Sequence, residues 1–150
     1  MAVAQYFPET INKRIKLTFH LPVRENRILL VMHGFGTTCL ALSYLLILGL
    51  FAGVSRIFFP SEIVRDALVS VFPWFLAGLT AYFIVALIML EPVWRYRVAD
   101  FLIGGFFISI YLMSPATAAY GPANTGLFIL TVLLSITVVF SAYRFRKGEM

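Results

Sequence analysis

The side chains able to do chemistry are few, and their spacing limits what they can do. His20 and His33 are the chain's two imidazoles. A haem held between helices needs two histidines at one depth, whereas His20 lies in a basic N-terminal stretch and His33 opens the first long apolar run. His33 therefore reads as a polar residue at the water boundary. Glu91 and Asp100 flank a short charged stretch and are the nearest thing to an acid–base carboxylate pair. Arg95 and Arg97 lie between them, so mutual neutralisation is the simpler role. Cys39 is the single cysteine, set inside an apolar run, which leaves no thiolate metal site and no intrachain disulfide. No nucleophile elbow, zinc-binding His-Glu-x-x-His or glycine-rich phosphate loop is present. These observations predict a protein that is not an enzyme, with no cofactor and no bound metal. What remains is a set of small polar residues, Ser114, Thr117, Asn124, Thr125, Thr131 and Ser135, suited to lining a pore or cavity where several copies gather.

The elements that carry these residues are set by hydropathy. With 150 residues, 61% apolar and only 13% charged, and a mean hydropathy of +0.91, the chain has more apolar surface than a soluble domain of this size can hide. It reads as an all-α membrane protein with four transmembrane helices. Ile28 to Ser55 is 28 residues without Lys, Arg, Asp or Glu, about 42 Å as helix against a hydrocarbon core of about 30 Å. Ala67 to Leu90 supplies 24 more, with Pro73 inside. Phe101 to Tyr120 supplies 20, and Pro122 or Asn124 opens a fourth run to Tyr143. The spans are placed at about 32–55, 67–90, 99–120 and 122–143, within a membrane domain of 28–143. Between the first two, Arg56 to Asp66 reads as an external connection, with Ser61 as N-cap and Glu62 near the positive end of a helix dipole. Gly34-Phe35-Gly36 suggests a loosened entry to the first span. The segment 114–126, rich in Pro, Gly and small polar residues, reads as a kinked helix end with an external turn, or as a segment dipping into the bilayer.

Flanking charge gives orientation. Residues 1–27 form a basic arm in which Ile15, Leu17, Phe19 and Leu21 alternate with polar residues, predicting a short strand over 15–21. Residues 144–150 form a basic tail with Arg144, Arg146 and Lys147. Ten of the twelve basic residues fall in the arm, the Arg95/Arg97 turn and the tail, and only Arg56 and Arg65 on the other side. By the positive-inside rule both termini are cytoplasmic, and in the bacterial inner membrane this makes a multi-pass protein. The +5 net charge is explained by these flanks and anionic lipid, not by nucleic acid. No cleavable signal peptide is visible at the start.

Contacts between spans are expected at small-residue spacings: Gly49 and Gly53, Ala77 and Ala81, and a face with Gly104, Gly105 and Ser109. No Asp, Glu, Lys or Arg lies mid-span, which argues against a proton-coupled pump. The leading functional expectation is a non-enzymatic subunit of a larger membrane assembly, paired with copies of itself or with other membrane-protein subunits. A channel built from several copies is the alternative. An immunity or defence component that binds another membrane protein is the third.

Overall fold

The computed structural model describes residues 2–11, 25–91, 93–113 and 121–147, and among these the chain is all helix and short links, with no strand. The described residues form five helices, in order α1 Ala2–Ile11, α2 Glu25–Phe58, α3 Ser61–Leu90, α4 Trp94–Leu112 and α5 Asn124–Lys147. The strand expected over 15–21 lies outside the described residues.

The breaks between helices are shorter than the charge pattern suggests, and two prolines explain them. α2 and α3 are joined by Phe59 and Pro60 alone, the Phe59 N–H still bonding Ser55 O at 2.9 Å. Pro60 itself takes the cap position, at φ −56° and ψ 151°, and its carbonyl accepts the Val64 N–H at 3.2 Å. Ser61 is therefore the first helical residue and makes no capping bond, while Glu62 sits in the first turn as the dipole favours. Most of the connection expected over Arg56 to Asp66 is helix. At the other end, Glu91 precedes Pro92, and a residue before proline is driven out of the helical region. Glu91 is extended at φ −74° and ψ 122° and stops α3, its N–H on Leu87 O. Arg97 Nε donates to the Glu91 carbonyl at 2.6 Å, satisfying an acceptor at a helix end that lacks intrahelical partners. Trp94 then starts α4, so Arg95, Arg97 and Asp100 lie in its first two turns rather than in a ten-residue loop.

Packing is organised on α3, which contacts α1, α2, α4 and α5. Pro73, inside α3 and buried, removes one backbone donor but the helix continues through it. Two clusters form the core. One joins Ala2 and Tyr6 of α1, Tyr82, Phe83, Ala86 and Leu90 of α3, and Val138 of α5. The other joins Leu76 and Ala77 of α3, Tyr111 of α4 and Leu127 of α5. Helix directions follow from these pairs. Leu76 and Leu127 share one cluster while Ala86 and Val138 share the other, so α3 and α5 run the same way. Ile84 meets Gly104 and Ala77 meets Tyr111, so α4 runs against them, as α2 does.

Two helices are long and apolar enough to cross a membrane among the described residues: Leu30–Phe58, mean hydropathy 2.0, and Ser61–Leu90, mean hydropathy 2.1. α4 is 19 residues long but carries its charges in the first two turns. Its uncharged part from Phe101 is about 18 Å of helix. In α5 the described apolar stretch is Asn124–Val138.

Candidate functional site

Sequence position alone puts α1 in a basic arm. In the structure it is a short helix docked on α3, and its side chains begin a buried polar network. Gln5 Nε2 donates to the Met32 carbonyl of α2 at 2.7 Å, and Gln5 Oε1 accepts from the Tyr82 hydroxyl of α3 at 3.0 Å. Gly36 permits this junction, because a Cβ there would overlap both the Tyr82 hydroxyl and Gln5 Oε1. The glycine is thus a contact point and not a loosened entry; α2 runs through it unbroken. Beside Gln5, the Tyr6 hydroxyl lies 3.4 Å from His33 Nδ1, and His33 Nε2 lies 2.9 Å from Ser135 Oγ of α5. A neutral imidazole has one donor nitrogen and one acceptor nitrogen. Here each faces a hydroxyl that can give or take a proton, so either tautomer is satisfied. His33 is 7% exposed and Tyr6 1%. Phe83 packs against the imidazole at a ring separation of 5.2 Å. Burial and the neighbouring Tyr82 hydroxyl push the Tyr6 phenol well above its usual range.

A second network ties α3, α4 and α5 nearer the other end. The Tyr111 hydroxyl is 2.9 Å from Thr131 Oγ1 and bonds Leu127 O at 3.1 Å. Thr131 donates to Leu127 O at 2.9 Å, and Thr80 Oγ1 is 3.4 Å from Thr131 Oγ1. Further along the same face of α5, Asn124 Nδ2 reaches Val69 O of α3 at 3.4 Å, while Asn124 Oδ1 is buried with no hydrogen-bond partner among the described residues. Asn124, Thr131 and Ser135 therefore share one inward face, spaced as helix periodicity requires. Thr131 and Ser135 are satisfied within the protein, by Tyr111 and His33. The hydroxyls and the imidazole link helices that are distant in sequence. No three of His, Cys, Asp and Glu gather among the described residues.

The remaining residues singled out by sequence fall in different settings. Ala77 is buried in the second cluster, and Ala81 lines a groove of about 300 Å³ with Tyr44 and Val85. Gly104 is in close contact with Ile84, where a Cβ would overlap Ile84 Cγ2. Among the described residues, nothing lies within 4 Å of where a Cβ would stand on Gly49, Gly53 or Gly105. Ser109 is exposed and bonds its own helix at Gly105 O, 2.8 Å away. Thr125 and Arg95 are exposed. Arg144, Arg146 and Lys147 fall in the last turn of α5, and their side chains lie outside the described residues, as do Ser114 and Thr117. Glu91 is 2% exposed, and it is its main-chain carbonyl that accepts from Arg97.

What composition and spacing missed is the Gln5, Tyr6, His33, Tyr82 constellation. The available signal was the Ala2 and Tyr6 spacing of four, which puts both on one face of a helix. No protein-family model, curated protein or solved structure matches the chain.

Proposed function

We propose that the protein crosses a bacterial inner membrane four times, with both ends cytoplasmic, and serves as a non-enzymatic subunit that joins copies of itself or other membrane proteins through α2. Alternating helix directions support the four crossings. They put the Phe59–Pro60 link and the turn before Asn124 at one end, and the Arg95/Arg97 segment and the end of α5 at the other. That arrangement puts Arg27, Arg95 and Arg97 toward one end and Arg56 and Arg65 toward the other, which supports a positive-inside reading.

One observation carries the assembly reading: α2 is a span with a single engaged side. Its inner side meets α3 and α5, but none of its most apolar window is buried. Gly49 and Gly53 lie one turn apart, and no described residue comes within 4 Å of where their Cβ atoms would stand. Between helices in lipid, close backbone approach at small residues supplies the attraction that apolar surface alone does not. A helix with such a notch unfilled is suited to receive another. The test places cysteine at Gly49 or Gly53 in a Cys39→Ser background and oxidises native membranes. Covalent dimers, or a covalent adduct with one other membrane protein, are expected. Monomer alone at both positions, with a monomer in mild detergent, contradicts the reading.

A second reading, an oligomeric channel, draws on the buried Asn124 Oδ1, which has no hydrogen-bond partner among the described residues, on the α5 face that also carries Thr131 and Ser135. Purified protein in liposomes decides it. Release of trapped ions or small solutes above protein-free vesicles supports a pore, and tight vesicles remove it.

A further inference from the structure

α1 carries its polar and apolar groups in the opposite sense to a helix lying in water. Among the side chains described from Ala2 to Phe7, Val3 and Phe7 are 49% and 47% exposed and Ala4 is exposed as well, all of them apolar. The polar groups point inward. Gln5 uses both ends of its amide, on Met32 O and on the Tyr82 hydroxyl, and the Tyr6 hydroxyl meets His33. A surface helix in water buries an apolar stripe and shows a polar face. Where lipid is the solvent, the polar groups must instead find partners inside the protein. The depth of α1 is set by its neighbours. Gln5 and Tyr6 meet α2 at Met32 and His33, near the start of the Leu30–Phe58 stretch. Val3 lines the groove of about 300 Å³ with Leu40 and Tyr44 of α2 and with Gly78 and Ala81 of α3. Tyr44 is the midpoint of Leu30–Phe58, and Gly78 stands within about 4 Å of the midpoint of Ser61–Leu90 along the helix. α1 thus runs against α2, with Val3 toward the middle of both spans and Tyr6 nearer their Arg95/Arg97 end.

We propose that α1 is an intramembrane strap: it dips into the bilayer from the Arg95/Arg97 side, turns Val3, Ala4 and Phe7 to lipid chains, and clasps α2 to α3 through Gln5. The proposal rests on α2 and α3 crossing the bilayer as set out above. Composition agrees with it, since no Lys, Arg, Asp or Glu occurs from Ala2 to Pro8. A helix lying flat at the membrane surface needs a charged or polar face to keep in water, and the exposed side chains of α1 from Ala2 to Phe7 offer none. The clasp answers a need of α2. Apolar surface alone draws helices together weakly in lipid, and none of the most apolar window of α2 is buried. Gln5 bonds α2 and α3 at one point, and Tyr6 extends the tie through His33 to Ser135 of α5. Gly36 makes the room, because a Cβ there would overlap Gln5 Oε1 and the Tyr82 hydroxyl.

The test puts a nitroxide on single cysteines, Val3→Cys, Leu46→Cys and Trp94→Cys, in a Cys39→Ser background, with the full chain in phosphatidylcholine nanodiscs. Collision with oxygen, which concentrates in the bilayer core, is compared with collision with a water-soluble nickel chelate. Leu46, exposed and close to the midpoint of Leu30–Phe58, is the reference for lipid, and the exposed Trp94 is the reference for water. Val3 is expected to follow Leu46, with oxygen favoured. Gln5→Leu keeps the bulk and removes both bonds, so the ratio of immobile to mobile label at Val3 is expected to fall about tenfold while the Leu46 label stays at its depth. Nickel access at Val3 like that at Trp94, with Leu46 protected, overturns the strap and leaves the crossing of α2 intact. Nickel access at Leu46 overturns both. A Val3 label that stays equally immobile in Gln5→Leu overturns the clasp.

Discussion

α2 and α3 have nearly the same mean hydropathy, 2.0 against 2.1 over their apolar stretches, yet none of the α2 window is buried while 39% of the α3 window is. The difference comes from what lies between the leucines. α3 presents Ala77, Gly78 and Ala86 to its neighbours, with Thr80 and Tyr82 supplying hydrogen bonds across them. α2 presents Leu42, Leu46 and Leu50 outward, and its two late glycines meet no other described residue. Hydropathy measures affinity for lipid. Small residues and paired polar groups decide which of two equally apolar helices becomes the hub.

The contrast can be broken most forcefully by cavity formation. Phe83→Ala, in the α3 core against His33, is expected to cost about 3 kcal/mol, whereas Leu46→Ala at 62% exposure changes stability by less than about 0.5 kcal/mol. Reversible unfolding in mixed micelles measures both, and a comparable loss at Leu46 would place α2 inside the core. Next in size is Gly104→Ala, whose new methyl meets Ile84 Cγ2, for a loss of about 1–3 kcal/mol. Gly49→Ala and Gly53→Ala leave the monomer unchanged, since no described residue is near them, and lower the yield of crosslinked assembly instead. Smaller still, Tyr111→Phe removes one hydroxyl bonded to both Leu127 O and Thr131, a loss of about 1 kcal/mol; Ser43→Ala, whose hydroxyl bonds only its own helix at Cys39 O, costs nothing measurable.

The last test varies pH instead of a contact. Because burial raises the Tyr6 phenol, the folded protein keeps a proton that the unfolded chain gives up near pH 10. The unfolded state then binds fewer protons, so stability falls as pH rises beyond that point. Below it the Tyr6 contribution is fully present. Tyr6→Phe is expected to flatten that alkaline decline, and an unchanged slope in chemical denaturation across this range would remove Tyr6 from the network.

The helical class was legible because long uncharged runs permit little else, and the two links were legible in place because Pro60 and Pro92 punctuate them. Their lengths were not. Charge marks where a chain meets water, while the helix continues past that boundary as far as the next proline allows, so Arg65, Arg95 and Arg97 are helical. α1 could not be read from local pattern: it is ten residues long and includes Pro8, and a helix so short depends on tertiary packing. Its order comes from Tyr6 and Ala2 in the core and from Gln5 on Met32 O. His33 shows the same limit. At the end of an apolar run a histidine suits the water boundary, and only the arrival of Tyr6 and Ser135 from distant parts of the chain makes it an interior residue. Thr131 and Ser135 stood out as polar positions within a span; that they bond Tyr111 and His33 depends on the neighbours that α3 gathers.

The membrane-crossing claim is tested most directly by labelling with a membrane-impermeant maleimide in intact cells, using Phe59→Cys and Trp94→Cys one at a time in a Cys39→Ser background. Both residues are exposed, and they mark opposite ends of α3. Labelling of Phe59→Cys from outside, with Trp94→Cys reacting only after the membrane is opened, is the predicted result. Equal labelling of the two, or the reverse order, would contradict it.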